Sequence, residues 1–224
     1  MIHRWSYSDL DTYQRQVQAR LLSDDTYLGE VIYSEVDSVI TVGKRSKLQS
    51  TNTLAVDRGG LETWHGPGQL VIFPVVRMID YFGSERALKR AITSLLKITF
   101  EAIQNFKPEA KIEFGDRLGI WTDEGKIASI GIAIKQGVLL HGVAINLYPT
   151  SQSFAGINPC GIENAKPDFC LESKNDEIFS SVKAYWEKSF VAQLPLLRSP
   201  LEQASVSLVS YRDPLLEAPA STSF

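Results

Sequence analysis

An α+β domain, a mixed and mostly antiparallel sheet with flanking helices on one side, is the architecture expected of this 224-residue chain. Three amphipathic helical patterns stand among several short apolar strand patterns, and the two kinds do not alternate as regular strand–helix–strand units. Tight turn signals such as Gln136-Gly137 join neighbouring strand patterns, as antiparallel hairpins require. Apolar residues are 44% of the chain and charged residues 22%, which fits a globular protein with a sizeable core.

Composition also narrows the function class. A formal charge of −3 gives no case for nucleic acid as the main partner. The amino terminus carries no apolar run of a secretory signal, and no apolar run, the one at residues 127–134 included, approaches the about 20 residues of a membrane span. A cytoplasmic protein is expected. Cys160 and Cys170 are too few for a disulfide scaffold and form no CxxC pair for zinc, so no metal is expected.

In chain order, Ser8 with Asp11 resembles a capping box that opens a helix to about Leu22, with Leu10, Tyr13, Val17 and Leu21 inward. Residues 27–34 and 36–42 read as strands around a turn centred on Glu35. The basic run Lys44-Arg45-Ser46-Lys47 follows; it fails as a phosphate loop because no glycine stands five residues before Gly43 and Arg45 replaces the required Ser or Thr. Residues 84–106 form the clearest helix, stopped by Pro108. Short strands at 112–114 and 118–122 precede a hairpin of strands 126–135 and 138–148. A loop rich in Gly, Pro and Asn covers 151–166, and a last helix spans 177–194 with Ile178, Val182, Tyr185, Phe190 and Leu194 inward. Residues 1–195 are read as one domain and 196–224 as an extension whose last dozen residues are loosely ordered.

The densest stretch is 58–74, RGGLETWHGPGQLVIFP. Gly59-Gly60 and Gly66-Pro67-Gly68 are loop corners around a short polar segment, where a ligand can approach bare N–H groups. Residues 70–74 read as a buried strand ending at Pro74. A turn that merely positions this strand is the plainer reading of any one of these glycines.

Cys160 stands between Pro159 and Gly161 in a loop, where a substrate could reach its thiol; a buried structural cysteine is the alternative, and Cys170 reads that way. A reactive cysteine needs a nearby positive charge, and Lys126, Arg58, His65 and His141 are the candidates. The hairpin after Lys126 folds back toward the Cys160 loop, so these two could meet at one rim of the sheet. A solvated lysine at a strand start and a core histidine at 141 are the ordinary alternatives.

The motifs RGGxxTxHGPGQLVxxP, KIASIG, HGVAINL and INPCGI occur in this order, preceded by TVGKRSK and NTL. Together, over about residues 40–165, they resemble the lipoyl(octanoyl) transferases. The resemblance implies the fold of biotin and lipoate protein ligases. It implies transfer of an octanoyl or lipoyl group from acyl carrier protein to a lysine of a lipoyl domain, in a 2-oxoacid dehydrogenase complex or in glycine cleavage H protein. It implies Cys160 as nucleophile and Lys126 as its partner. Substrate-binding positions carry over to Arg58, Gly59, Gly60, Leu61, Glu62, Thr63, Trp64 and His65, to Ser129, Ile130 and Gly131, and to Gly142, Val143 and Ala144. Trp64 and Phe73 replace tyrosines common in the family. The competing readings are an ATP-using lipoate ligase, a hydrolase built on Cys160 and His65, and a protein that only docks on carrier or lipoyl domains.

Overall fold

The computed structural model describes residues 4–47, 52–154, 162 and 165–192. Cys160, Leu194 and the 196–224 extension lie outside these described residues. Its strands are β1 (Arg4–Trp5), β2 (Glu30–Val36), β3 (Val39–Val42), β4 (Thr53–Ala55), β5 (Glu62–His65), β6 (Gln69–Arg77), β7 (Lys111–Glu113), β8 (Gly119–Trp121), β9 (Lys126–Lys135) and β10 (Val138–Asn146). Its helices are α1 (Tyr7–Ser23), α2 (Met78–Phe82), α3 (Leu88–Ile103) and α4 (Asp176–Val191).

Seven strands form the main sheet in the order β1-β2-β6-β10-β9-β8-β7, and β4-β3-β5 form a small second sheet. Every pairing in the main sheet is antiparallel except β1 with β2. The expected α+β class with a mostly antiparallel sheet is therefore observed. The helices, however, lie on both faces. In β6, Leu70, Ile72 and Val76 join the cluster that holds α3 and α4, whereas Val71, Phe73 and Val75 join the one that holds α1. A central strand whose alternate residues are all apolar has two faces to bury, and one helical layer could cover only one.

Several boundaries move for local reasons. Helix α1 is capped by Ser6, whose Oγ accepts from Asp9 N at 3.1 Å, and not by Ser8. Glu35 lies inside β2, and the turn falls at residues 37–38. Strand β6 runs through Pro74 to Arg77. The β6–β10 ladder is interrupted there, between Leu139↔Val76 and Val143↔Ile72, because Pro74 has no N–H to contribute. The single helix expected over 84–106 begins only at Leu88, and the short α2 precedes it after β6. On α4, Phe179, Val182, Trp186 and Phe190 are buried and Tyr185 is 42% exposed, against the inward face expected.

Candidate active site

Strand β8, with Leu118 just before it, and the start of β9 form the slot that holds Lys126. Lys126 is 1% exposed. Its Nζ donates to Leu118 O at 2.7 Å and lies 5.2 Å from the centre of the Trp121 ring. Gly119 makes this possible: a Cβ there would stand 2.5 Å from Lys126 Cε. The main chain of Lys126 is held as well. Its N donates to Lys166 O at 2.8 Å, and its O accepts from Asp168 N at 2.9 Å and from Asn146 Nδ2 at 2.9 Å.

Lys126 lines a cleft of about 600 Å³. One wall is the loop from Arg58 to Thr63, with Gly59, Gly60, Leu61 and Glu62 all on the cleft. The floor is Ser129, Ile130 and Gly131 of β9, and Leu88, Ile92, Leu118 and Ile162 supply apolar surface. Ser129, Ile130, Gly131, Arg58 and Thr63 also border a much smaller inner cavity of about 20 Å³, beyond which lie Gly142, Val143, Ala144 and His65. Thus the motifs separated in sequence converge on two adjoining spaces. Trp64 does not reach either. It is buried with its Nε1 donating 2.9 Å to Ser38 Oγ and its ring against Phe154.

Arg58 is 5% exposed, and its guanidinium donates to Thr41 O, Thr41 Oγ1, Leu61 O and Gly59 O at 2.8–3.1 Å. It ties the glycine-rich loop to β3. Its aliphatic stem crosses β9 where Gly131 has no side chain; a Cβ there would be 2.8 Å from Arg58 Cδ. Gly59 N adds a bond to Ile132 O at 3.0 Å.

Two buried imidazoles sit behind the loop, and their partners fix their protons. Gln14 Oε1 accepts from His141 N at 2.8 Å, so the Gln14 amide nitrogen is the atom 3.3 Å from His141 Nδ1. Nδ1 is then the acceptor, also facing Tyr7 Oη at 3.3 Å, and Nε2–H donates to Asp57 Oδ1 at 2.6 Å. Burial pushes the His141 pKa down, and the Asp57 carboxylate opposes the shift only in part. Asp57 itself is held well below the usual carboxylate range by the His141 hydrogen bond, helped by Lys135 and Arg15. His141 has φ +58°, uncommon for a residue other than glycine. The odd-numbered neighbours Leu139, Val143 and Ile145 face the α3 and α4 side, but the His141 ring lies with Tyr7, Gln14 and Phe73 on the α1 side. The left-handed backbone turns it there. His65 Nδ1 is 3.2 Å from Gln69 Oε1, and Gln69 Nε2 donates to Asn146 Oδ1 at 2.8 Å and to Trp64 O at 3.3 Å. His65 therefore carries its proton on Nδ1, and burial, with Arg58 nearby, lowers its pKa to about 3.

Cys170 is buried and its thiol is pushed up to about 12 by desolvation, so it is an inert thiol. Among the described residues, no group of three or more His, Cys, Asp or Glu side chains could hold a metal ion, and no helix is long and apolar enough to cross a membrane. Sequence reasoning passed over Tyr7, Asp57, Gly119, Gln69 and Asn146. The last two carried a signal: each is a carboxamide at the end of a mostly apolar two-faced strand.

Residues 32–169 match the family described as the lipoyl protein ligase A/B catalytic domain. Among curated proteins, the octanoyltransferase of Corynebacterium glutamicum is 35% identical over 170 residues, covering 71% of this chain and 66% of its own. That of Desulfotalea psychrophila is 33% identical over 178 residues, 70% of this chain and 75% of its own. That of Geobacter metallireducens is 44% identical over 106 residues, 47% and 48%. The chain spans less than two thirds of the length of the first of these relatives. Among solved structures, lipoate-protein ligase A bound with ATP superposes with a TM-score of 0.58 at 13% identity, covering 84% of this chain and 85% of that one. Protein Ta0514 of T. acidophilum, with bound lipoic acid, gives 0.56 at 12% identity over 84% and 86%. The fold is that of the lipoate protein ligases, and by the reach of the family match and the identity of these relatives the chain belongs to the lipoyl protein ligase A/B catalytic domain family, as a member of its octanoyltransferases.

Proposed function

We propose that this protein is a cytoplasmic acyltransferase that moves an octanoyl or lipoyl group from acyl carrier protein to a lysine of a lipoyl domain, through a thioester on Cys160. The observation that carries the reading is Lys126: a lysine with its ammonium group withdrawn from water, fixed at the side of a cleft whose other walls mix glycine backbone and aliphatic side chains with polar ones such as Arg45, Glu62 and Asp116. The octanoyltransferase relatives supply the acyl group and the reaction class.

In this reading the Cys160 thiolate attacks the carrier thioester, and the carrier thiolate leaves with a proton from the Lys126 ammonium. Lys126 is then a free amine. The acceptor lysine attacks the Cys160 thioester, gives its proton to Lys126 and becomes an amide as the Cys160 thiolate is expelled. Thioester exchange is nearly isoenergetic and amide formation is downhill, so the cycle needs neither ATP nor another cofactor. Arg58, Gly59, Gly60, Leu61, Glu62, Thr63 and His65 on one side, and Ser129, Ile130, Gly131, Gly142, Val143 and Ala144 on the other, surround the acyl chain, whose burial contributes about 0.8 kcal/mol per CH₂. Trp64 supports that wall from behind through Ser38 and Phe154.

A transfer assay from octanoyl acyl carrier protein to an apo lipoyl domain, without ATP, tests this. Octanoylated domain is expected from the wild type, and Lys126→Ala should lose about 10²-fold or more in kcat. Product only in the presence of ATP and free octanoate would replace the reading with a ligase.

A further inference from the structure

We propose that Asn146 is the positioning residue for Lys126, acting with Gln69 to lock the lysine to the wall of the cleft that carries the glycine-rich loop; the inference rests on the acyl-transfer reading above. Asn146 ends β10 opposite Gln69 in the β6–β10 ladder. It is 3% exposed, between the buried apolar residues Ile145 and Leu147. An apolar residue would continue that pattern, yet a carboxamide is present and all its bonds are long-range. Its Oδ1 accepts from Gln69 Nε2 at 2.8 Å, and its Nδ2 donates to Lys126 O at 2.9 Å and to Asp168 O at 3.1 Å.

These bonds close a frame around one residue. The segment at 166–168 bonds to both sides of the Lys126 main chain, and Asn146 ties that segment and Lys126 together by bonding to a carbonyl of each. At the far end of the side chain, Leu118 O receives Nζ. With main chain and Nζ both fixed, the four-carbon stem between them has few rotamers left, and the reacting nitrogen is placed before substrate arrives. The same amide continues through Gln69 to His65, which borders the inner cavity. Asn146 thus joins the lysine side of the site to the loop side. Unlike Arg58 or Ser129, it borders neither cavity, so it acts on substrate through the residues it holds, Lys126 directly and His65 by way of Gln69.

The test is a double-mutant cycle on Asn146→Ala and Gln69→Ala, read as kcat and KM for transfer from octanoyl acyl carrier protein to an apo lipoyl domain. A misplacement of about 1 Å can cost roughly 10²-fold, so Asn146→Ala should lower kcat about ten- to a hundredfold with KM within about twofold. Gln69→Ala should lower it less, and the double variant should be no worse than Asn146→Ala alone, because the two amides act as a unit. Asn146→Asp, which keeps the shape but puts a carboxylate oxygen against two carbonyls, should fail to restore kcat. A readout independent of turnover is amine labelling followed by mass spectrometry: Lys126 should label about tenfold faster in Asn146→Ala, with Lys97, 69% exposed on α3, as the internal control. If Asn146→Ala does not fold, Asn146→Ser and Gln69→Ala carry the same two measurements. A kcat within about twofold of wild type, a loss confined to KM, multiplying losses in the double variant, or unchanged Lys126 labelling would overturn the inference. A wild type that transfers nothing would instead overturn the acyl-transfer reading, while the labelling comparison would still decide the role of Asn146.

Discussion

Lys126 depends on an absence. Gly119 has φ +146°, and a Cβ on it would meet Lys126 Cε at 2.5 Å and Ala128 O at 2.6 Å. Gly119→Ala should therefore displace Lys126 and strain β8 together. We expect a fall in kcat of at least about tenfold and a loss of stability of about 1–3 kcal/mol, measured by transfer assay and urea unfolding. A variant that lost stability but kept kcat would show that the slot does not set the lysine's place. At this scale the sequence was informative where a motif named the residue. Lys126 at the head of KIASIG and the loop from Arg58 could be read directly. Asn146 could not be given a purpose, because its partners lie 20 and 77 residues away and only the ladder brings them together. That His141 belongs to the core could be read, but the face its ring takes could not, since alternation along β10 assigns that position to the opposite face and only a positive φ reverses it.

Elements were legible in kind and less so in their edges. Ser6-x-x-Asp9 and Ser8-x-x-Asp11 fit the same capping pattern two residues apart, and the choice between them is made by the packing of Tyr7 and Leu10 against the sheet. Ser6→Ala should cost about 1 kcal/mol in thermal or urea unfolding, and Ser8→Ala much less. On α4 two stripes also competed. Trp186, with its ring stacked on Phe190 and its Nε1 donating to Thr99 Oγ1 at 3.0 Å, has more apolar surface to bury than Tyr185. Trp186→Ala is expected to cost about 3–5 kcal/mol, whereas Tyr185→Ala should stay near 0.5 kcal/mol. Pro74 was taken as a strand end because proline cannot donate to a ladder; here β6 passes through it at the point where β10 is turned aside by His141.

For the whole molecule, the class of fold followed from patterns of period two and 3.6, but the second helical layer did not, because a strand apolar on both faces looks the same as one buried on one side and short of polar residues. That second layer, α1, brings Tyr7 and Gln14 onto His141 and so excludes water from the rear of the site. A consequence is measurable as acid sensitivity. His65 has a folded pKa of about 3 against an ordinary 6.5, and His141 is shifted the same way. The unfolded chain therefore binds protons first as pH falls below 6.5. Stability should be level above that pH and decline between 6.5 and 3 by up to about 1.4 kcal/mol per pH unit from His65, with His141 adding a loss of the same sign below 6.5. Below about 3.8 the depressed Asp57 adds a loss of the same sign. Urea unfolding at pH 7.5, 5.5 and 4.5 checks this, and His65→Asn should flatten the slope by one proton.

Weighing the intact protein after incubation with octanoyl acyl carrier protein tests the acyl-transfer account most directly. The account predicts one octanoyl group on the wild type, none on Cys160→Ala, and its loss when an apo lipoyl domain is added. No adduct, or one that persists in Cys160→Ala or sits on the buried Cys170, would contradict it.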